Sequence, residues 1–194
     1  TYPTYGGVEI VSTTLANQCI KDGHQVTIAS YKQPLHEAAP LNLSDQCDLL
    51  FLSHPVLSIQ NIKKLREYIL THQIEVLINQ WVVPFYATMV WKIATYGTNC
   101  QVYSVHHNPP DTNMRIQSLK RQIESGKWYL KGMYGLVREI SRLSLAFCIK
   151  NSHKFILLSP AFIPIAQKFA RVNHPTKFLS IPNCFSLPET IASA

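Results

Sequence analysis

The chain has 194 residues, of which 46% are hydrophobic and 15% charged, which is typical of an ordered protein with a large core and excludes a disordered chain. The sequence shows no signal-peptide pattern and no apolar run long enough to span a bilayer. A net charge of +7 favours an anionic partner. The five scattered cysteines fit neither a disulfide framework nor a zinc motif, and therefore indicate a reducing, cytoplasmic environment.

The first informative stretch joins a glycine pair to a helix and a buried strand. Gly6 and Gly7 precede an apolar stripe at helical spacing, and Gly23 follows as a left-handed stop, so we predict a helix between them. The stripe consists of Val8, Val11, Leu15 and Cys19. Residues 25–30 then read as a strand covered on both faces. A helix that begins at a glycine pair points its N–H groups at a usual phosphate position, although a tight turn without a ligand is the alternative.

Strands and helices alternate along the rest of the chain. The predicted strands cover residues 48–53, 76–80, 101–105, 154–159 and 178–181. The predicted helices cover residues 59–71, 84–96 and 160–170. Such alternation predicts an α/β fold with a doubly wound, mostly parallel, Rossmann-like sheet in three layers. We expect one domain over residues 1–185 that lacks its first strand, followed by a linker or tail over residues 186–194.

Polar residues collect at the carboxyl ends of the predicted strands, although the strands themselves are apolar. They include Ser30, Ser53, Asn79, Gln80, His106, His107, Asn108 and Ser159. Ligands of doubly wound sheets bind beyond this edge. We therefore predict a substrate site there, with Asn108 and Ser159 among its contacts.

Residues 106–111 follow one of these strands and form a rigid turn, because Pro109 and Pro110 have fixed φ. A rigid turn can hold an imidazole in place for hydrogen bonding or proton transfer. Since side chains alternate along a strand, only one of His106 and His107 is expected to face the cleft. A surface turn with one core histidine and one solvated histidine is the alternative.

Residues 112–150 are too many for a single crossover helix. They carry two apolar stripes, with Gly132 and Gly135 between them. Their cations far outnumber Glu124 and Glu139: they are Arg115, Lys120, Arg121, Lys127, Lys131, Arg138, Arg142 and Lys150. With Trp128 and Tyr129, this composition could place the segment at an anionic membrane surface. We favour the simpler interpretation, a solvated crossover face.

Several stretches carry a family resemblance in their order and spacing. They are Tyr5 to Glu9, Leu15 to Asn17, Gly23 to Thr27, His106 to Pro110, Phe155 to Pro160 and Ile181 to Asn183. Together they resemble the N-terminal, acceptor-side domain of retaining glycosyltransferases of family four, which have the GT-B fold. The resemblance implies an enzyme of two Rossmann-like domains that moves a sugar from a nucleotide-sugar donor to a glycan or lipid-linked acceptor, with retention of the anomeric configuration.

The resemblance also implies roles for individual residues. Gly6 and Gly7 would lie beside the donor diphosphate, Glu9 near the cleft, and one histidine of the pair, preferably His107, would face the donor sugar. Asn183 would begin the interdomain linker. The nucleotide-sugar would be a co-substrate, and we expect no other cofactor and no metal site. Because the donor domain of the family is absent from this chain, we expect the chain alone to be inactive.

Other function classes have less support. A dinucleotide oxidoreductase needs G-x-G-x-x-G, an α/β-hydrolase needs G-x-S-x-G, and a P-loop enzyme needs a Walker loop; the sequence contains none of them. Nucleic-acid binding would rest on net charge alone and is not expected. A non-enzymatic sugar- or phosphate-binding α/β module is the alternative to a transferase. We expect a cytoplasmic location, peripheral at the inner face of the membrane if the basic segment contacts lipid.

Overall fold

A computed structural model describes residues 7–31, 43–82 and 84–182, and the chain divides into two compact units. The first comprises Thr1–Val56 and Asn183–Ala194, and the second Leu57–Pro182. In these ranges most strands alternate with helices and each strand pair is parallel, which confirms the predicted α/β fold. The predictions for Gly6, Asn183 and the tail at 186–194 fall outside the described residues.

The first unit combines one helix with two parallel strands in its described part. The elements are α1 (Gly7–Lys21), β1 (Thr27–Ser30) and β2 (Asp48–Phe51). Gly23 has a φ of 88°, so the predicted left-handed stop after α1 is confirmed. The most buried side chains of α1 are Thr13 and Ala16, whereas Leu15 of the predicted stripe is 36% exposed.

The second unit contains a four-stranded parallel sheet in the order β3-β4-β5-β6. In chain order its elements are α2 (Ile59–Thr71), β3 (Val76–Asn79), α3 (Phe85–Ala94), β4 (Gln101–His106), α4 (Met114–Glu124), α5 (Lys131–Asn151), β5 (Lys154–Leu157), α6 (Phe162–Ala170) and β6 (Phe178–Ser180). Short 3-10 turns lie at Trp128–Leu130 and Pro175–Lys177. The predicted strands and helices of this unit therefore form, and most are shorter by one to a few residues.

The core of the second unit forms around β5, which pairs with β4 on one side and β6 on the other. Phe155 and Leu157 of β5, and Cys148 and Ile149 of α5, are completely buried. Along β4, buried and half-buried side chains alternate, as expected for a strand with two unlike faces. This alternation decides which side chains point into the core at the carboxyl end of β4.

The long basic segment folds as two helices, α4 and α5, as its length led us to expect. Gly132 and Gly135 lie inside α5, and the turn between the helices occurs at Gly126, which has a φ of 102°. Asn113 caps α4, because its Oδ1 accepts a hydrogen bond from the backbone N–H of Ile116 at 2.8 Å. Its Nδ2 donates to Oγ of Ser141 at 2.9 Å, so α4 runs back alongside α5.

Candidate functional site

The edge where β3 and β4 end brings two polar side chains into contact. Nε2 of His107 lies 3.1 Å from Oε1 of Gln80. An amide oxygen can only accept a hydrogen bond, so the hydrogen in this contact belongs to Nε2 of the histidine. Both side chains are half-buried. Gln80 therefore orients the His107 ring. The sequence analysis placed Gln80 among the polar residues at strand ends, but it could not predict this contact.

His106 points the other way, into the core. It is 6% exposed, and its ring centroid lies 6.3 Å from that of Phe155. Burial, and secondarily the charge of the neighbouring His107, lower the pKa of His106 to about 4. The ring is therefore neutral at neutral pH. His106 is a core residue, and the imidazole at the sheet edge is that of His107.

A buried polar network lies on the same face of the sheet as His106. Nδ2 of Asn79 donates to Oγ of Ser104 at 3.1 Å, and Oγ of Ser152 donates to the same Ser104 oxygen at 2.8 Å. Sγ of Cys148 lies 3.3 Å from that oxygen, and burial raises the pKa of its thiol, which stays protonated. Oδ1 of Asn79 accepts the backbone N–H of Trp81 at 3.1 Å. The network thus fixes the chain on either side of Gln80.

An aromatic pair follows β3. The rings of Trp81 and Tyr86 meet edge to face with their centroids 5.7 Å apart. Trp81 is 43% and Tyr86 42% exposed, so both keep a large part of their surface accessible. The second unit therefore offers exposed aromatic surface directly after Gln80 in the chain.

The other predicted contacts of the second unit lie at its strand ends. Asn108 is exposed in the turn after β4, which a hydrogen bond from the N–H of Thr112 to the carbonyl of Pro109 closes at 3.0 Å. Ser159 follows β5, and its Oγ accepts the N–H of Ala161 at 3.3 Å, at the beginning of α6. Ser159 thus bonds within the turn that leads into α6, and its contact with substrate stays a prediction.

The predicted contacts of the first unit lie at the beginning of α1. Gly7 is the first residue of this helix and is exposed, and a Cβ added there would meet no atom within 4 Å. Glu9 is half-buried in the first turn. Tyr31 and His54 follow β1 and β2 with ring centroids 6.2 Å apart, and burial raises the pKa of Tyr31 to about 12. The contacts of Gly6, Gly7 and Glu9 with substrate stay predictions.

Metal ligands and membrane spans were searched within residues 7–31, 43–82 and 84–182. No three His, Cys, Asp or Glu side chains of these ranges come together as a metal site. No helix in them has the length and apolar character needed to cross a membrane. Four cysteines of this part, Cys19, Cys47, Cys100 and Cys148, are free thiols.

A model of glycosyltransferase family 4 matches residues 5–185. The chain belongs to glycosyltransferase family 4. The matched range spans nearly the whole chain and contains every residue predicted for the site. Family 4 membership indicates a transferase with sugar donor and acceptor substrates, and it confirms the family resemblance of the sequence. A search of curated proteins gives no significant match.

Proposed function

We propose that this family 4 chain is the acceptor-side part of an enzyme that moves a sugar from a nucleotide-sugar donor to a glycan or lipid-linked acceptor, with retention of the anomeric configuration. The match over residues 5–185 is the observation that carries the proposal. The nucleotide-sugar is a co-substrate, and the reaction needs no further cofactor or metal ion. We place the enzyme in the cytoplasm, peripheral to the membrane when its acceptor is lipid-linked.

His107 is the residue proposed to face the donor sugar. The Gln80 contact restricts its ring to one orientation, which suits a group that must meet a sugar hydroxyl in a fixed geometry. His106 has no such role, because it is buried and its pKa is lowered to about 4. Gln80 acts through His107 and is a positioning residue.

The remaining contacts are proposed from their positions. Gly6 and Gly7 pass close to the donor diphosphate, and Glu9 lies near the cleft in the first turn of α1. Asn108 and Ser159 contact substrate at the strand ends. The exposed faces of Trp81 and Tyr86 suit the apolar face of an acceptor sugar ring.

Sugar transfer by the full-length protein tests the proposal, with nucleotide release from a panel of nucleotide-sugars as the assay. We expect His107→Ala to lower kcat on the order of a hundredfold. The matched control is His174→Ala, because His174 is exposed on the same unit, away from the sheet edge. Proton NMR of the product reports the anomeric configuration, and an inverted product would refute retention.

Two substitutions separate positioning by Gln80 from a merely structural role. Gln80→Leu removes the acceptor oxygen and should lower kcat about tenfold with little change in KM, whereas Gln80→Glu keeps an acceptor oxygen and should retain most of the activity. Equal losses in the two variants would mean that the contact does not orient the catalytic ring. Equal effects of His107→Ala and His174→Ala would remove His107 from the mechanism.

A further inference from the structure

The helical hairpin of α4 and α5 exposes an unusual apolar surface. Helix α5 packs on α4, and Asn113 at the beginning of α4 bonds to Ser141 in the middle of α5. Ile116 of α4 is 6% exposed. The C-terminal half of α5 lies in the core, where Leu145 is 2% exposed. On the face that touches neither, large apolar side chains point outward. We call them the outer stripe: Trp128, Tyr129, Met133, Leu136, Ile140 and Leu143.

The outer stripe is continuous and strongly exposed. From Met133 onward its members recur every three or four residues of α5, so they share one side of the helix. Trp128 is 73%, Leu136 62% and Ile140 54% exposed. At 1.5 Å per residue, the row from Met133 to Leu143 is about 15 Å long, and Trp128 and Tyr129 lie in the 3-10 turn directly before α5. Apolar patches of this extent are rare on the surface of monomeric proteins and mark docking sites.

The hairpin also carries eight of the 18 Lys and Arg residues of the chain. Seven of these cations are exposed: Arg115, Lys120, Arg121, Lys127, Lys131, Arg138 and Lys150. The two acids of the segment each have a cation of their own helix, since Glu124 pairs with Lys120 and Glu139 with Arg142. The hairpin therefore has a large positive excess next to its apolar stripe. A second copy of the same surface would be repelled by it, whereas an anionic lipid surface would neutralise it.

We propose that the outer stripe docks on the surface of an anionic membrane, with Trp128 and Tyr129 at the level of the headgroups and the aliphatic members below them. Amphipathic helices bind interfaces in this way when apolar side chains and Lys or Arg act together. Lys127 and Lys131 flank the aromatic residues and contact lipid phosphates. The proposal deepens the membrane location given above, but it does not depend on sugar transfer. An experiment can therefore refute membrane docking without refuting sugar transfer, and the reverse.

Co-sedimentation of the full-length protein with vesicles tests the docking. We expect binding to vesicles of phosphatidylcholine and phosphatidylglycerol in equal parts, and weaker binding to vesicles of phosphatidylcholine alone. Added salt should weaken binding to the phosphatidylglycerol vesicles. The double variant Leu136→Ser/Ile140→Ser should lower partitioning on the order of tenfold. Lys127→Glu/Lys131→Glu should lower it at least about tenfold, and only for the anionic vesicles. All four residues are exposed, so the variants should keep their far-UV circular dichroism spectrum.

Matched controls lie on α2 of the same unit. Ile59 is 74% exposed and Lys63 is exposed, so Ile59→Ser and Lys63→Glu make the same chemical changes away from the hairpin. Unchanged binding in both controls, together with loss in the hairpin variants, supports the proposal. Absence of binding to anionic vesicles, or equal losses in controls and hairpin variants, overturns it. A dimer that Leu136→Ser/Ile140→Ser converts to a monomer, without vesicle binding, assigns the stripe to a second copy and also overturns it.

Discussion

Acidification should destabilise the second unit through His106. The folded-state pKa of this residue is about 4, whereas its ordinary value is 6.5. Between these two values the unfolded chain binds a proton that the folded chain does not. The contribution of the neutral, buried His106 to stability is therefore complete above pH 6.5, decreases as the pH falls, and is absent below pH 4. The loss between pH 7 and pH 5 is about 2 kcal/mol, and the complete loss about 3 kcal/mol.

Urea unfolding at pH 7 and pH 5 measures this loss. Tryptophan fluorescence is a suitable signal, because Trp81, Trp91 and Trp128 all belong to the second unit. The comparison is made within each variant, so a general cost of substituting a buried residue cancels. In His106→Asn the difference between the two pH values should shrink by about 2 kcal/mol relative to the unsubstituted protein. His174→Gln, an exposed substitution, should keep the full difference.

The pKa of His106 can also be measured directly in the unsubstituted protein, which tests the prediction even if His106→Asn does not fold. The ring protons of His106 can be followed by NMR in the folded, unsubstituted protein, and they should titrate near pH 4. Titration near 6.5, or an unchanged pH difference in His106→Asn, would mean that His106 does not lie in an apolar core. In that case the assignment of His107 to the sheet edge would fail with it.

Two further predictions concern the helical hairpin and the end of α5. Gly126 has a φ of 102°, so Gly126→Ala should destabilise the second unit by about 1 kcal/mol in urea unfolding. Gly135 is helical and an added Cβ would meet no atom within 4 Å, so Gly135→Ala should stabilise the same unit by roughly 0.5 kcal/mol. Nζ of Lys177 donates to the carbonyls of Ile149, Lys150 and Ser152 at the end of α5. Lys177→Met should therefore lower the free energy of unfolding by about 1 to 2 kcal/mol. An unchanged free energy would show that water satisfies these carbonyls equally well.

Local signals in the sequence predicted the elements of the second unit well. Helix α2 covers Ile59–Thr71, the predicted range, because Ser58 caps it: Oγ of Ser58 accepts the N–H of Asn61 at 3.1 Å. The break in the basic segment was harder to predict. Gly132 and Gly135 lie between the two apolar stripes of the segment, yet both are inside α5, because a helix tolerates glycine at about 1 kcal/mol each when its other side chains pack. The decisive signal was the Gly at 126, because it takes the left-handed conformation in which helices commonly end.

The choice between the two histidines shows what the sequence could not supply. Alternation alone predicts that His106 and His107 point to opposite faces, but not which face is the core. The pairing of strands decides this: Asn79 lies opposite Ser104, and Ser104 opposite Phe155, so these three side chains share the buried face. His106 lies two residues beyond Ser104 and must share that face, which leaves His107 with Gln80 on the other. Because register depends on residues far apart in the chain, the outward imidazole follows from the packing of the whole sheet. A shift of β4 by one residue would exchange the environments of the two histidines.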